Sequence, residues 1–283
     1  MGDLRRNKSI LYPVLREARN LFMQPLNSKK AVVIGGSRGT GRAIVEAFLQ
    51  EGADVLVVAR KPDSLAELVR KWPSVRTLQA DMTDTSTLET VFQDAPDVVV
   101  LAGGAMPPSQ SIVDLDWETF STNWNTDVKA SYLLTQYALT RPAKAGTLIL
   151  FLSSGAAIGG SPISGGYAGS KRMQMFLANY AQLASNRGGL GLRFLTLAPF
   201  RLMKNTGVGD VVVPKYAAFT GVLEEDFVAG MTQAQTKEDV ADAVVAFARQ
   251  WPTPVEGNVF VVSSDGIATE SDMVKGAPFW TKR

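Results

Sequence analysis

The sequence contains neither cysteine nor histidine. Without cysteine the chain can form no disulfide, no thiol nucleophile and no cysteine-ligated metal site. Without histidine it lacks the most common general base, the most common metal ligand and every Ser-His triad. Any acid/base chemistry must therefore use Tyr, Lys, Asp or Glu.

Long apolar runs and a large net charge are also missing. No run reaches the roughly 18 residues that a membrane helix needs, and no signal-peptide pattern opens the sequence, so we expect a cytoplasmic protein. The 29 Lys and Arg against 27 Asp and Glu leave a net charge of +2. The chain therefore lacks the excess of positive charge that is typical of nucleic-acid-binding proteins. Composition, at 46% hydrophobic and 20% charged residues over 283, is that of a globular protein.

Residues 1–28 form a basic extension, and residues 9–23 within it carry apolar side chains at helical spacing. Two interpretations of this predicted amphipathic helix stay open. The favoured one is that it docks on the domain or on a neighbouring subunit. The other is that it lies on an anionic membrane surface as a peripheral contact, or resembles a transit peptide.

Residues 29–283 are predicted to form one α/β domain, because short apolar runs alternate with longer segments of helical period. Runs that are apolar on both faces indicate a parallel sheet covered by helices on both sides. The predicted strands, about seven, are 30–35, 54–59, 75–79, 97–101, 147–152, 192–198 and 258–262. The predicted helices are 40–51, 64–71, 85–93, 117–140, 167–187 and 236–250.

A glycine-rich loop follows the first predicted strand and precedes the first predicted helix. Glycines let the backbone approach a pyrophosphate, and a helix N-terminus supplies N–H groups and the positive end of its dipole. A simple tight turn is the alternative, but the strand before and the helix after favour a phosphate site. The loop reads Gly35, Gly36, Ser37, Arg38, Gly39, Thr40, Gly41.

The charges after the second predicted strand indicate which dinucleotide binds. An NAD site usually has an acidic residue there for the ribose hydroxyls, whereas an arginine accepts a 2′-phosphate. This chain has Arg60 at that place and no acid, and Arg38 adds a second cation. The pattern favours NADP(H) over NAD(H).

The strongest catalytic candidates are Tyr167 and Lys171, which lie four residues apart in a predicted helix and so share one face. A neighbouring ammonium stabilises a phenolate, which a general acid/base must be able to form. An exposed helical pair is the alternative. Ser154 ends the fifth predicted strand 13 residues before Tyr167, at the edge where open α/β sheets bind ligands.

Together these motifs resemble the short-chain dehydrogenase/reductase family, whose glycine pattern is T-G-x-x-x-G-x-G and whose Ser, Tyr and Lys have this spacing. Ile34 stands in place of the usual threonine. The resemblance covers residues 29 to about 266. It implies a Rossmann-like, doubly wound parallel sheet with helices on both faces. It also implies a homo-oligomer, dimer or tetramer, that pairs the helices at 117–140 and 167–187.

The resemblance also implies roles for individual residues. Tyr167 would exchange a proton with the substrate oxygen, Ser154 would hydrogen-bond that oxygen, and Lys171 would assist Tyr167 and hold the nicotinamide ribose. Asp81 matches the residue that contacts adenine, although it could equally be an acid that precedes a helix. Further cofactor contacts are expected at Met82, Ala102, Gly103 and Pro199.

Two positions depart from the family pattern. Asp127 stands where the family has the Asn of its catalytic tetrad, and Asn125 is two residues out of register. Phe200 stands where glycine usually follows Pro199. It opens a predicted lid over residues 200–235 that is rich in apolar side chains. Either these side chains contact an apolar or aromatic substrate, or they pack the lid onto the body.

The favoured function is an NADP(H)-dependent carbonyl reductase or alcohol dehydrogenase that acts on a small carbonyl or alcohol compound without a metal. Two alternatives stay open. One is an isomerase, cyclase or lyase that uses Tyr167 and Lys171 only for proton transfer. The other is a nucleotide-binding module without turnover.

Overall fold

The computed structural model describes residues 26–141, 143–201, 203–231, 234–251 and 256–271. Eight strands in this part of the chain form one sheet. They are β1 (Lys30–Ile34), β2 (Asp54–Ala59), β3 (Arg76–Gln79), β4 (Val98–Leu101), β5 (Leu148–Leu152), β6 (Arg193–Pro199), β7 (Val259–Ser263) and β8 (Gly266–Thr269). Their spatial order is β3-β2-β1-β4-β5-β6-β7-β8, and β8 alone runs antiparallel to its neighbour.

Helices fill the connections between the parallel strands. They are α1 (Gly39–Gln50), α2 (Pro62–Lys71), α3 (Thr85–Gln93), α4 (Trp117–Asn123), α5 (Lys129–Thr140), α6 (Ala156–Gly159), α7 (Gly165–Gly188), α8 (Gly207–Thr220), α9 (Glu224–Ala229) and α10 (Lys237–Gln250). A π-helical turn, Trp124–Val128, joins α4 to α5. Among the described helices, none is both long and apolar enough to cross a membrane.

Alternating strand residues bury against two separate helical layers. Val33 of β1 belongs to a buried cluster with Phe48 of α1 and Phe247 of α10. Its neighbour Ile34 belongs to a second cluster, with Leu134 of α5 on the other face. Because successive strand side chains point to opposite faces, each apolar run supplies both layers. The predicted doubly wound, Rossmann-like α/β fold is confirmed.

The structure corrects the predicted element list in several places. The sheet has eight described strands rather than about seven, because the chain turns back after β7 and adds β8 to the edge. The segment predicted as one helix over 117–140 is interrupted by the π-helical turn. Helices α6, α8 and α9 were not predicted. The predicted N-terminal helix over 9–23 lies outside the described residues.

The strand order places a crevice above the middle of the sheet. The chain winds outward from β1 through β2 to β3, then returns to place β4 on the other side of β1. Open α/β sheets bind ligands at the carboxyl ends of their strands beside such a reversal of order. The candidate site lies at this edge.

Candidate active site

A cavity of about 240 Å³ opens at the carboxyl ends of the parallel strands. It collects nearly all of the residues predicted from the sequence to bind cofactor or to act in catalysis. Those that line it are Gly35, Ser37, Arg38, Gly39, Thr40, Gly41, Arg60, Met82, Ala102, Gly103, Asp127, Ser154, Tyr167, Lys171 and Pro199. Asp81 is not among the lining residues.

The glycine loop packs directly against the end of β4. Gly35 has a φ of +86°, and a Cβ there would overlap the backbone of Gly103. A Cβ on Gly41 would overlap the carbonyl oxygen of Gly35. Arg38 caps α1 without a side-chain capping hydrogen bond, and Gly39, Thr40 and Gly41 of the first turn line the cavity. The positive end of α1 therefore faces the cavity.

Substitution of Gly41 by alanine tests this packing. We expect Gly41→Ala to destabilise the protein by about 1–3 kcal/mol, because overpacked backbone must shift, and to weaken nucleotide binding because the loop moves. Thermal unfolding and nucleotide titration measure the two effects. Gly230→Ala is the control, since Gly230 has a φ of −73° and a methyl group there would make only ordinary van der Waals contacts. An unchanged melting temperature in Gly41→Ala would contradict the described loop.

Cations gather where β1 and β2 end. Arg38, Arg60 and Lys61 all line this part of the cavity. Arg60 also lies 3.8 Å from a carboxylate oxygen of Asp81, with 65% of its side chain exposed. The backbone N–H and hydroxyl of Thr83 each donate to Asp81 at 2.8 Å. These bonds, the backbone one foremost, hold the pKa of Asp81 below its usual range.

Ser154, Tyr167 and Lys171 all line the cavity. Helix α7 places Tyr167 and Lys171 on the same face, with Lys171 Nζ 5.6 Å from the centroid of the tyrosine ring. Ser154 follows β5, and its Oγ accepts a hydrogen bond of 3.2 Å from the backbone N–H of Ala156. The Ser154 hydroxyl keeps its hydrogen for donation into the cavity.

Asp127 and Lys171 form a buried ion pair. Asp127 Oδ2 lies 3.2 Å from Lys171 Nζ, and the two side chains are 0% and 6% exposed. The backbone N–H of Ala105 donates to the other carboxylate oxygen at 2.8 Å. Lys171 Nζ also donates to the carbonyl oxygen of Leu152 at 3.1 Å. The lysine charge is therefore fixed between β5 and the π-helical turn.

The π-helical turn decides which residue faces Lys171. Asn125 points away, because its amide donates to Ser121 at 3.3 Å. The backbone carbonyl of Asp127 accepts a bond of 2.7 Å from the Ser131 hydroxyl, and the Gln174 amide donates to that hydroxyl at 2.9 Å. The register predicted from the sequence, with Asp127 rather than Asn125 beside Lys171, agrees with this geometry.

Most apolar side chains of the predicted lid pack inward. Val212, Val213 and Tyr216 of α8 are buried, and the Tyr216 hydroxyl bonds to Ser161. Phe200 packs on a small buried cluster beneath the sheet edge. Two other apolar residues of the lid, Met203 and Val208, line the cavity. Val211 and Phe219 are exposed, and Leu202 lies outside the described residues.

Several lining residues escaped prediction from sequence motifs. Lys61 follows Arg60, Met106 lies beyond the end of β4, and Arg201 and Thr206 follow β6. The rule that ligands bind at the carboxyl ends of strands would have indicated Lys61 and Arg201, because each comes two residues after a strand. No local pattern marks Met106.

Comparison with known proteins identifies the family. The short chain dehydrogenase family model matches residues 29–200, which is more than half of the chain. The protein therefore belongs to the short chain dehydrogenase family, a family of oxidoreductases. The solved structure "ElxO with NADP Bound" superposes with a TM-score of 0.70, at 21% identity over 83% of this chain and 98% of that one. At this identity the likeness shows the fold.

Curated relatives carry reductase names. A hydroxynaphthalene reductase-like protein of Metarhizium majus is 27% identical over 57% of this chain and 65% of its own length. L-xylulose reductase of Mesocricetus auratus is 25% identical over 66% of this chain and 73% of its own. The chain spans 65%, 64% and 58% of the first three curated relatives that it matches.

Proposed function

We propose that this protein is an NADP(H)-dependent carbonyl reductase or alcohol dehydrogenase. The observation that carries the proposal is the convergence of two motifs, far apart in sequence, on one cavity. The glycine loop lines that cavity, and so do Ser154, Tyr167 and Lys171. The reductase names of the relatives agree with this chemistry.

The residues at the glycine end fit a dinucleotide. Close backbone packing of Gly35 on Gly103 keeps the loop flat, and the open N-terminus of α1 offers N–H groups for a pyrophosphate. Arg38, Arg60 and Lys61 supply cations for a 2′-phosphate. Asp127 is the one carboxylate among the described lining residues, and its charge is paired with that of Lys171. The NADP bound in the ElxO structure supports the same assignment.

Tyr167 and Ser154 act on the substrate oxygen in this proposal. When bound, the nicotinamide cofactor supplies or accepts the hydride. During reduction Tyr167 donates its phenolic proton to the carbonyl oxygen, and during oxidation it takes the proton back. Ser154 donates a hydrogen bond to the same oxygen and stabilises the charge that develops there.

Lys171 places a positive charge beside Tyr167 and binds the cofactor ribose. An ammonium group has three donors; one bonds to the Leu152 carbonyl and another faces Asp127. The third is left for the ribose hydroxyls. The carboxylate of Asp127 offsets part of the lysine charge.

The substrate is expected to have an apolar or aromatic body. Met106, Met203 and Val208 are among the apolar residues of the lining, and none of them belongs to the glycine loop. We also expect a dimer or tetramer that pairs α5 and α7, where Tyr132, Tyr180 and Leu183 are about half exposed. Exposed apolar side chains grouped on two helices are typical of subunit interfaces.

Two measurements test the proposal. Calorimetric titration gives the affinities for NADPH and NADH. The absorbance of the reduced nicotinamide is then recorded while ketones and quinones are added. The proposal predicts tighter binding of NADPH and a loss of absorbance that depends on the carbonyl compound. Tight binding without oxidation across the panel would instead support the isomerase, cyclase or lyase class. Absence of binding by either nucleotide would contradict the proposal.

Removal of the two arginines tests the cofactor preference. We expect Arg38→Ala and Arg60→Ala each to weaken NADPH binding by about ten- to a hundredfold, since each loses a bond to a charged group. NADH binding should stay nearly constant, because NADH has no 2′-phosphate. Titration of both nucleotides into each variant measures the ratio. Equal losses for NADPH and NADH would show that the arginines hold the loop and not the phosphate.

A further inference from the structure

Arg201 is a cation of the cavity that neither the glycine motif nor the Ser-Tyr-Lys set includes. It comes two residues after the end of β6 and lines the cavity. Lysine and arginine side chains are ordinarily found in solvent, yet Arg201 is half-buried. Its burial lowers the pKa of the guanidinium, which means that the charge has lost part of its hydration.

The backbone of Arg201 is held by a buried amide. Gln235 is 3% exposed. Its side-chain oxygen accepts from the Arg201 backbone N–H at 3.0 Å, and its amide donates to the Arg201 carbonyl at 2.7 Å. Both backbone groups of one residue are thus fixed by one side chain from the end of the lid. A surface arginine in a flexible loop would need no such support.

Phe200 supports the side chain from below. The Arg201 guanidinium lies 4.4 Å from the centroid of the Phe200 ring, a geometry in which the ring face attracts the cation. The ring itself packs on the buried cluster at the sheet edge. The residue that replaces the family glycine therefore provides a platform that limits the freedom of the arginine.

Arg201 lies in the first part of the loop after β6, close to the loop that carries Ser154, whereas the later residues Thr206 and Gly207 of the same loop reach the glycine loop. The backbone N–H of Gly155, next to Ser154, donates to the carbonyl of Pro199 at 2.7 Å. The loop after β6 is thereby tied to the loop that carries Ser154. In contrast, β4 and β5 separate β6 from β1, which is about 14 Å at the usual strand spacing.

We infer that Arg201 determines substrate specificity by binding a carboxylate carried by the carbonyl substrate. A guanidinium presents two parallel N–H donors that match the two oxygens of a carboxylate. The inference rests on the proposed function and deepens it: the substrate is a keto acid, or the corresponding hydroxy acid, with an apolar or aromatic body.

The experiment compares acids with their methyl esters, which have nearly the same shape without the charge. Benzoylformate and 3-benzoylpropionate, with their methyl esters, sample two distances between carbonyl and carboxylate. Rates are measured with NADPH for the wild type, Arg201→Met and Arg201→Lys. Calorimetric titration of the same four ketones into the enzyme saturated with NADP⁺ gives a reading that does not depend on turnover, because a ketone cannot be reduced by the oxidised cofactor. Arg70→Met, an exposed arginine on α2, is the matched control.

The inference predicts that the wild type and Arg70→Met bind and reduce at least one acid better than its ester. Arg201→Met should lose about ten- to a hundredfold in affinity and in kcat/KM for that acid, with little change for the ester. Arg201→Lys should recover part of the loss. NADPH affinity should remain unchanged in both variants, which also shows that they fold.

Two results would overturn the inference. One is an equal or better use of the esters by the wild type while NADPH is oxidised, which leaves the proposed function intact. The other is a loss of NADPH affinity in Arg201→Met, which would assign the guanidinium to the cofactor phosphates. Carboxylate binding that depends on Arg201 without any oxidation of NADPH would uphold the anion site and count against the reductase proposal, so the two failures are distinguishable.

Discussion

The Tyr167→Phe variant is expected to lose carbonyl reduction while it keeps its cofactor. Without the hydroxyl, no side chain of the Ser-Tyr-Lys set can supply the proton, because Ser154 is a weak acid and Lys171 is paired with Asp127. General acid catalysis contributes about 10²–10⁴-fold, and we expect kcat/KM to fall by that factor. NADPH titration should be unchanged, since the ring and its packing remain.

Tyr180→Phe is the matched control for that variant. Tyr180 lies on the same helix, α7, but is 59% exposed and stacks on Phe176. Its hydroxyl should be dispensable for catalysis. Comparable activity in Tyr167→Phe and the wild type would rule out Tyr167 as the proton donor, and comparable losses in both tyrosine variants would point to a general disturbance of the helix.

The second large effect is expected at Asp127. Asp127→Ala leaves Lys171 with a buried charge and no counter-charge, which costs about 3–5 kcal/mol when a buried pair is broken. At about 2–4 °C per kcal/mol for a domain of this size, the melting temperature should fall by roughly 6–20 °C. Thermal unfolding measures the loss directly. Glu67→Ala is the control, since it removes an exposed ion pair with Arg42 and should change stability little.

Asp127→Asn separates the structural role of Asp127 from its effect on catalysis. The amide keeps the shape and can still accept from the Ala105 N–H, so the stability loss should be smaller than for alanine. It removes the negative charge beside Lys171, so the lysine charge acts on Tyr167 and on the cofactor ribose without a counter-charge. We therefore expect kcat/KM to differ from that of the wild type under conditions where the variant is fully folded. An unchanged kcat/KM would mean that the carboxylate only holds Lys171 in place.

Most of the fold could be predicted because the spacing of apolar residues differs clearly between the strands and the helices of this chain. Runs such as 98–101 are buried on both faces, as expected for central strands of a covered sheet. Helix α8 was missed because it contains three successive valines and an internal proline, Pro214, which locally favour other structures. Strand β8 has four residues and gains its stability from pairing with β7.

Those parts of the site whose residues lie in one continuous sequence motif could be predicted. Tyr167 and Lys171 share a helix face, and the loop from Gly35 to Gly41 is continuous in sequence. The ion pair between Asp127 and Lys171 joins two helices that pack only in the folded chain. The support of Arg201 by Gln235 joins residues 34 positions apart. Such contacts depend on the path of the chain, which no local pattern encodes.

The measurement that tests the central claim most directly is the transfer of deuterium from NADPH that carries deuterium at both positions of nicotinamide C4. The labelled cofactor is incubated with the enzyme and the keto acids and esters named above, and the alcohols are analysed by mass spectrometry. We expect one deuterium at the carbinol carbon, formed by the wild type and nearly absent with Tyr167→Phe. Alcohol without label, or labelled NADPH that stays intact with every carbonyl compound while it binds tightly, would contradict an oxidoreductase function for this site.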